Sequence, residues 1–179
     1  LEPEAFSRNY SVFEGGRRAG RLFDAHKDSH PGMSVLNPRE FESAMAIAAA
    51  LGRHQVASPL ICGPGESERT LAWHDERTGL RCKARIDRWL SAARTVVDLQ
   101  TGGSVEARSI GRMTAQRGWD LQLMHYVAGA AAVVPGPAVD AVLVCVENRP
   151  PHDVAVFQLS AALARRAEQR RDELMSQLA

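Results

Sequence analysis

Between Gly63-Pro64-Gly65 and Gly102-Gly103 the apolar residues recur at every second position, and this stretch decides what kind of fold is open to the chain. Thr70-Leu71-Ala72-Trp73-His74 reads as one strand and Asp75-Glu76-Arg77-Thr78-Gly79 as a turn. A second strand runs over residues 80–89 and a third over 95–101. Strands joined this closely form an antiparallel meander. Helical patterns precede and follow it. Asn37, Pro38 and Glu40 make a capping box that starts a helix over residues 38–57, with Phe41, Ala44, Met45, Ala48 and Leu51 along one face. Helices over 105–116 and 119–133 end at Pro135-Gly136-Pro137. Residues 139–147 are apolar at nearly every position, the pattern of a strand covered on both faces, with residues 153–159 as its antiparallel neighbour. A last helix over 160–178 places Leu163, Ala167, Leu174 and Leu178 inward and Arg165, Arg166, Arg170 and Arg171 outward. Residues 1–36 read as loops around a short helix near 17–25. The fold class is α+β, a central mixed β-sheet flanked by α-helices.

Length and composition suit one domain over residues 1–179: an apolar fraction of 45% is enough for one core. The 22 basic and 21 acidic residues nearly cancel, so no global field advertises a polyanionic partner. Within the basic set there are twenty Arg and only two Lys, Lys27 and Lys83. Cys62, Cys82 and Cys145 are few and far apart, which excludes a zinc array and reads as buried, reduced thiols. The longest apolar run is too short for a membrane span, and no cleavable leader is visible. The expected setting is cytoplasmic.

The two strands at 80–89 and 95–101 carry the chemistry. If Ser91 to Arg94 close the hairpin, Leu90 faces Thr95, and the same register sets Asp87 opposite Asp98 and Arg85 opposite Gln100. Opposed residues of an antiparallel pair have Cβ atoms about 4.5–5.5 Å apart. Two carboxylates at that distance repel, and a hard divalent cation between them resolves the repulsion. Read without further context, the same acids are a solvated hairpin pair or partners for Arg85. Trp73, Trp89 and Trp119 read as core anchors, and His125 as a packed helix histidine.

Four segments extend the pattern: 68–73 (Glu-Arg-Thr-Leu-Ala-Trp), 78–87 (ending Lys83-Ala84-Arg85-Ile86-Asp87), 96–101 (Val-Val-Asp-Leu-Gln-Thr) and 118–126 (Gly-Trp-Asp-Leu-Gln-Leu-Met-His-Tyr). In order and spacing they resemble the successive motifs of the RecE-type exonuclease domain, exodeoxyribonuclease VIII-like, of the PD-(D/E)xK nuclease superfamily. The opening Leu1-Glu2-Pro3 and the helix at Asn37 are similar to it too. The resemblance implies a restriction-endonuclease-like fold and a Mg²⁺-dependent exonuclease, with Mn²⁺ as a substitute. It implies bacterial or phage origin and action on double-stranded DNA ends in phage-type recombination. A homo-oligomer and a single-strand annealing protein are the implied partners, with no membrane.

Carried over position by position, Asp87 and Asp98 become metal ligands, Leu99 offers its backbone carbonyl, and Glu68 serves the metal directly or through water. Gln122 and Tyr126 match the family's glutamine and tyrosine on the following helix, where i, i+4 spacing sets both on one face. Gln100 stands at the catalytic lysine position, and an amide brings no positive charge. Lys83 and Arg85 are the candidate DNA-binding cations on the Asp87 face. The family's upstream helix lies outside this chain, so the expectation is a fragment. An engineered inactivation, a natural loss of activity and a relocated lysine all account for Gln100. The alternative to a nuclease is a degenerate nuclease fold that binds DNA or a recombination partner without cleavage. A small α+β interaction domain is the third reading.

Overall fold

The structure, a computed structural model, describes residues 3–179; the opening Leu1-Glu2 of the family resemblance lies outside them. Backbone contacts divide the chain into two units, residues 1–50 and 51–179.

The first unit holds α1 (Pro3–Asn9), β1 (Tyr10–Val12), α2 (Arg21–Ser29), β2 (Ser34–Leu36) and most of α3 (Pro38–Arg53). β1 and β2 pair in parallel, a pairing that three-residue strands do not announce in sequence. The capping box at the start of α3 forms reciprocally: Asn37 N donates to Glu40 Oε2 and Glu40 N to Asn37 Oδ1, both at 2.9 Å. α3 stops at Arg53 rather than continuing to 57. His54 ends it by turning its Nδ1 toward the amides of Val56 and Ala57, at 3.3 and 3.0 Å, which opens the short helix α4 (Ala57–Cys62).

The second unit is built on a five-stranded mixed sheet in the order β3-β4-β5-β6-β7. Its strands are β3 (Glu66–His74), β4 (Arg81–Leu90), β5 (Thr95–Gly102), β6 (Asp140–Glu147) and β7 (Val154–Phe157). β3, β4 and β5 form the antiparallel meander, with β3 starting four residues earlier than its alternation suggests. β5 and β6 run parallel, and β7 returns antiparallel to β6. The parallel step needs a crossover, supplied by α5 (Ala107–Arg117) and α6 (Trp119–Val133). Val142 to Val146 are all buried, as a continuously apolar strand requires.

α6 crosses the sheet and joins its two buried clusters. Ala130 belongs to one with Leu71, Trp73, Ala84, Ile86, Trp89 and Val96, and Leu123 to the other with Ile110, Trp119, Leu143 and Cys145. Gly129 permits the contact with β3, because a Cβ there would lie 2.6 Å from the Trp73 ring. Gly118, at φ +71°, ends α5 and starts α6 in a left-handed turn that a side chain would strain.

α7 (Ala161–Leu178) packs on α6 in a rotation different from the expected one. Ala167 and Met175 are buried, whereas Leu174 and Leu178 are exposed. Arg171, expected outside, is inside: its Nη2 meets Asp75 Oδ2 at 2.8 Å, the two side chains being 10% and 9% exposed. Asp75 also accepts from Thr78 N and Oγ1 at 3.0 and 2.9 Å. Burial alone would raise its carboxyl, but Thr78 and Arg171 outweigh that and hold it below the usual range. A charge with a preformed partner overrides the apolar pattern here. The expectation of buried thiols needs a similar correction, since only Cys145 is buried, Cys82 is half-buried and Cys62 is exposed.

Candidate active site

The hairpin register is the one read from sequence, with Leu90 opposite Thr95, Trp89 opposite Val96 and Arg88 opposite Val97. Pairing then stops, one position short of the acids. Beyond Arg88, β4 stays on β3 and β5 stays on β6. The opened gap is closed by a side chain: Asp87 Oδ2 accepts the Leu99 amide at 2.8 Å. Two further irregularities meet at this point. The β3–β4 ladder omits the pair between Glu68 and Asp87, and Glu68 has φ +52°. Ile86 and Trp89 also share one buried cluster, although strict alternation sends them to opposite faces.

Asp98 is the center of the arrangement. It is 0% exposed, and each of its oxygens accepts from an amide: Oδ2 from Gln100 Nε2 at 2.7 Å and Oδ1 from Gln122 Nε2 at 3.1 Å. Gln122 Nε2 also donates to the Tyr126 hydroxyl at 2.7 Å. Burial pushes the Asp98 carboxyl up to about 6, and the neighbouring Asp87 carboxylate adds to the rise against the pull of Gln100. Asp87 is raised as well, first by burial and then by Glu68, against the Leu99 amide and Arg85. Burial keeps the Tyr126 phenol protonated above its ordinary value. Having accepted from Gln122, it retains its own proton to donate.

The structure thus brings together Asp87, Asp98, Leu99, Gln100, Gln122 and Tyr126. Gln122 and Tyr126 share a helix face as their spacing requires. Glu68 lies on a strand beside Asp87 but is held by Arg85, whose Nε sits 2.8 Å from Glu68 Oε2; the pair is 61% and 70% exposed. Arg85 is therefore not opposite Gln100: its partner across β3–β4 is Thr70, because the β4–β5 ladder ended earlier. Lys83 is exposed on β4 opposite Ala72. His125 packs against Trp73 at 4.9 Å between ring centroids, and burial with Arg171 nearby lowers its pKa. Cys145, across from Gln100, is pushed up to about 12 by burial and by Asp98, which excludes a thiolate nucleophile. Sequence reasoning placed Gln100 at the site but missed its partner. The two-residue spacing from Asp98 was the available signal.

The donors suit a hard divalent cation in chemistry, all of them oxygens, with two desolvated carboxylates that only a cation or a proton can neutralise. Among the described residues no group of three His, Cys, Asp or Glu side chains is gathered closely enough to hold a metal. Asp87 and Asp98 supply two, and the third carboxylate nearby, Glu68, is engaged by Arg85.

Comparison with solved structures places this sheet and its helices beside a candidate exonuclease of Eubacterium rectale. The TM-score is 0.64 and the identity 16% over 87% of this chain and 58% of the other. The chain thus spans little more than half the length of that protein, and the likeness is one of fold. A phage-related exonuclease of Haemophilus somnus 129PT aligns at TM-score 0.43 and 10% identity, over 87% of this chain and 81% of that one. Curated protein sequences give no match. Among the described residues no helix is long and apolar enough to cross a membrane. The family of the PDDEXK-like domain of unknown function (DUF3799) matches residues 1–179, in agreement with the PD-(D/E)xK resemblance of the four motifs. From its first residue to its last, this chain belongs to that PDDEXK-like family.

Proposed function

We propose that the chain is a divalent-metal-dependent phosphodiesterase that degrades double-stranded DNA from its ends, with Mg²⁺ as the ion and Mn²⁺ as its substitute. The observation that carries this reading is the fully buried Asp98, raised to about 6 beside Asp87 and fixed through both oxygens. A carboxylate kept desolvated next to another carboxylate is destabilising unless a cation or a proton neutralises it. That cost is understandable at a metal site. Asp87 and Asp98 would hold the ion, with Leu99 adding its carbonyl and Glu68 joining once released from Arg85. A bound ion would supply Lewis acidity toward the phosphoryl oxygens and a more acidic water.

The chain's own residues do the positioning. Gln100 and Gln122 fix the Asp98 carboxylate plane, and Leu99 fixes Asp87. Tyr126 presents a phenol proton to a phosphate oxygen. Gln100 occupies the position where the superfamily carries lysine, and its amide is spent on Asp98. Loss of one electrostatic group of this kind costs on the order of 10²–10³ in rate. The reading is therefore of a slow nuclease, acting as a homo-oligomer beside a single-strand annealing protein in recombination.

The test compares this chain with Gln100→Lys on linear duplex DNA, with Mg²⁺ or Mn²⁺. The expected result is weak digestion by the chain and digestion faster by about 10²–10³ in the variant. No digestion by either, together with no calorimetric metal binding that Asp87→Ala abolishes, overturns the reading. The second reading, DNA binding without cleavage, is favoured by the same Gln100. It predicts duplex binding by both proteins and digestion by neither.

A further inference from the structure

Six arginines of the second unit are committed within the fold. Arg69 pairs with Glu66, Arg85 with Glu68 and Arg171 with Asp75, while Arg77 bonds Ser176 and the Asp172 carbonyl. Arg88 bonds Ser67 and the Gly63 carbonyl, and Arg94 takes three carbonyls between Val134 and Pro137. α5 is different. Its sequence, Ala-Arg-Ser-Ile-Gly-Arg-Met-Thr-Ala-Gln-Arg, contains no acid, and among the described residues no side-chain hydrogen bond or ion pair engages the guanidinium of Arg108 or Arg112. The nearest acids in sequence are Glu106 before the helix and Asp120 after it.

Ile110 and Thr114 turn α5's inner face to the core, leaving Arg108, Arg112 and Gln116 exposed at i, i+4 spacing along the outer one. Gly111 lies beside them. It interrupts a helix interior where a Cβ would meet nothing within 4 Å, so no packing neighbour requires its small size. With Ala107 and Ala115, also exposed, it leaves a low surface alongside the two arginines. A polyanionic backbone can approach such a surface closely and meet a cation at each turn.

The position of α5 points to the ligand. Ile110 belongs to the same buried cluster as Leu143 and Cys145, and those two residues are the β6 partners of Asp98 and Gln100. The helix therefore lies over the strand next to the acids, its outer face about one helix diameter, 10–12 Å, from the sheet layer. Both ends are held: Asn148 N donates to the Gly102 carbonyl at 2.8 Å and Val105 N to Glu147 Oε1 at 3.2 Å, and Gly118 joins α5 to α6. Eleven residues span about 16 Å, the rise of about five base pairs.

We infer that the outer face of α5, through Arg108 and Arg112 across Gly111, is the surface that holds the phosphate backbone of duplex DNA beside the acidic pair. This rests on the nuclease reading for the identity of the ligand. α5, not the arginine-rich α7, carries this role, because α7 intersperses Glu168, Asp172 and Glu173 and turns Arg171 inward.

The test is anisotropy of a labelled blunt duplex titrated with the full chain over a salt series, without divalent metal so that nothing is cut. Each phosphate neutralised contributes about 0.9 to the slope of log affinity against log salt. The double variant Arg108→Gln/Arg112→Gln should lower that slope by about two and weaken binding by about ten- to a hundredfold at moderate salt. Arg108→Lys/Arg112→Lys should keep the slope, and Arg165→Gln/Arg166→Gln on α7 should leave it unchanged. Gly111→Leu should weaken binding without lowering the melting temperature. Wild-type binding with an unchanged slope in the glutamine variant overturns the α5 assignment and leaves the nuclease reading intact. Binding only to single strands, or to no DNA, overturns it as well. If α5 behaves as expected while Asp87→Ala changes no metal binding, the helix stands and the nuclease reading falls.

Discussion

Asp98 shows what one residue can cost a fold. Its carboxyl sits at about 6 in the folded chain against about 4 in an unfolded one. Between those values the folded state binds more protons than the unfolded state, so the contribution of Asp98 is full below about pH 4 and is lost as pH rises through 6. The loss is on the order of 2–3 kcal/mol. Thermal melts without metal should therefore show a falling Tm from pH 4 to 6.5, and Asp98→Asn should flatten that dependence. Divalent ions compete with the same proton. Their calorimetric affinity should rise across pH 6, and a pH-independent affinity would remove Asp98 from the ligand set. Gln100 belongs to the same scale: its amide stabilises the ionised form of Asp98 without supplying the positive charge a lysine would bring.

At the scale of elements, the fold is tied together by charges that local sequence pattern misassigns. α7 is docked through Arg171 on Asp75, with Arg77 reaching the Asp172 carbonyl and Ser176. Removing one partner of a buried ion pair costs about 3–5 kcal/mol. Arg171→Ala should lower the Tm by roughly 10 °C at neutral pH. Asp75 is held low by its partners, so its contribution is present above the carboxylate range and lost as pH falls through its lowered folded value. The gap between wild type and variant should narrow at pH 3, as followed by calorimetry. α5 makes the opposite use of charge, leaving the side chains of Arg108 and Arg112 without internal partners.

For the whole molecule, the division at residues 50 and 51 puts every candidate site residue, and all five strands of the larger sheet, in the second unit. A fragment of residues 38–179, which keeps α3 intact, should melt cooperatively and retain the pH dependence set by Asp98. A fragment with no transition in calorimetry would show that the sheet depends on the first 37 residues.

Local rules made much of this legible in advance. Alternation located the meander, and the four-residue loop at Ser91–Arg94 set the register that aligns Leu90 with Thr95. Asn37 and Glu40 announced the start of α3 because a capping box is satisfied within four residues. The hairpin register singled out Asp87, Asp98 and Gln100, and the family resemblance added Gln122 and Tyr126. Tertiary structure alone decided how they meet. β5 pairs with β6 along its whole length, whereas its ladder with β4 ends before the two acids, where Asp87 bonds the Leu99 amide instead. The crossover then sets Gln122 on Asp98, and α7 brings Arg171 to Asp75 across 96 residues of chain. Short-range hydrogen bonds and periodicity are written locally, whereas burial and the raised pKa that follows from it depend on which distant segments exclude water.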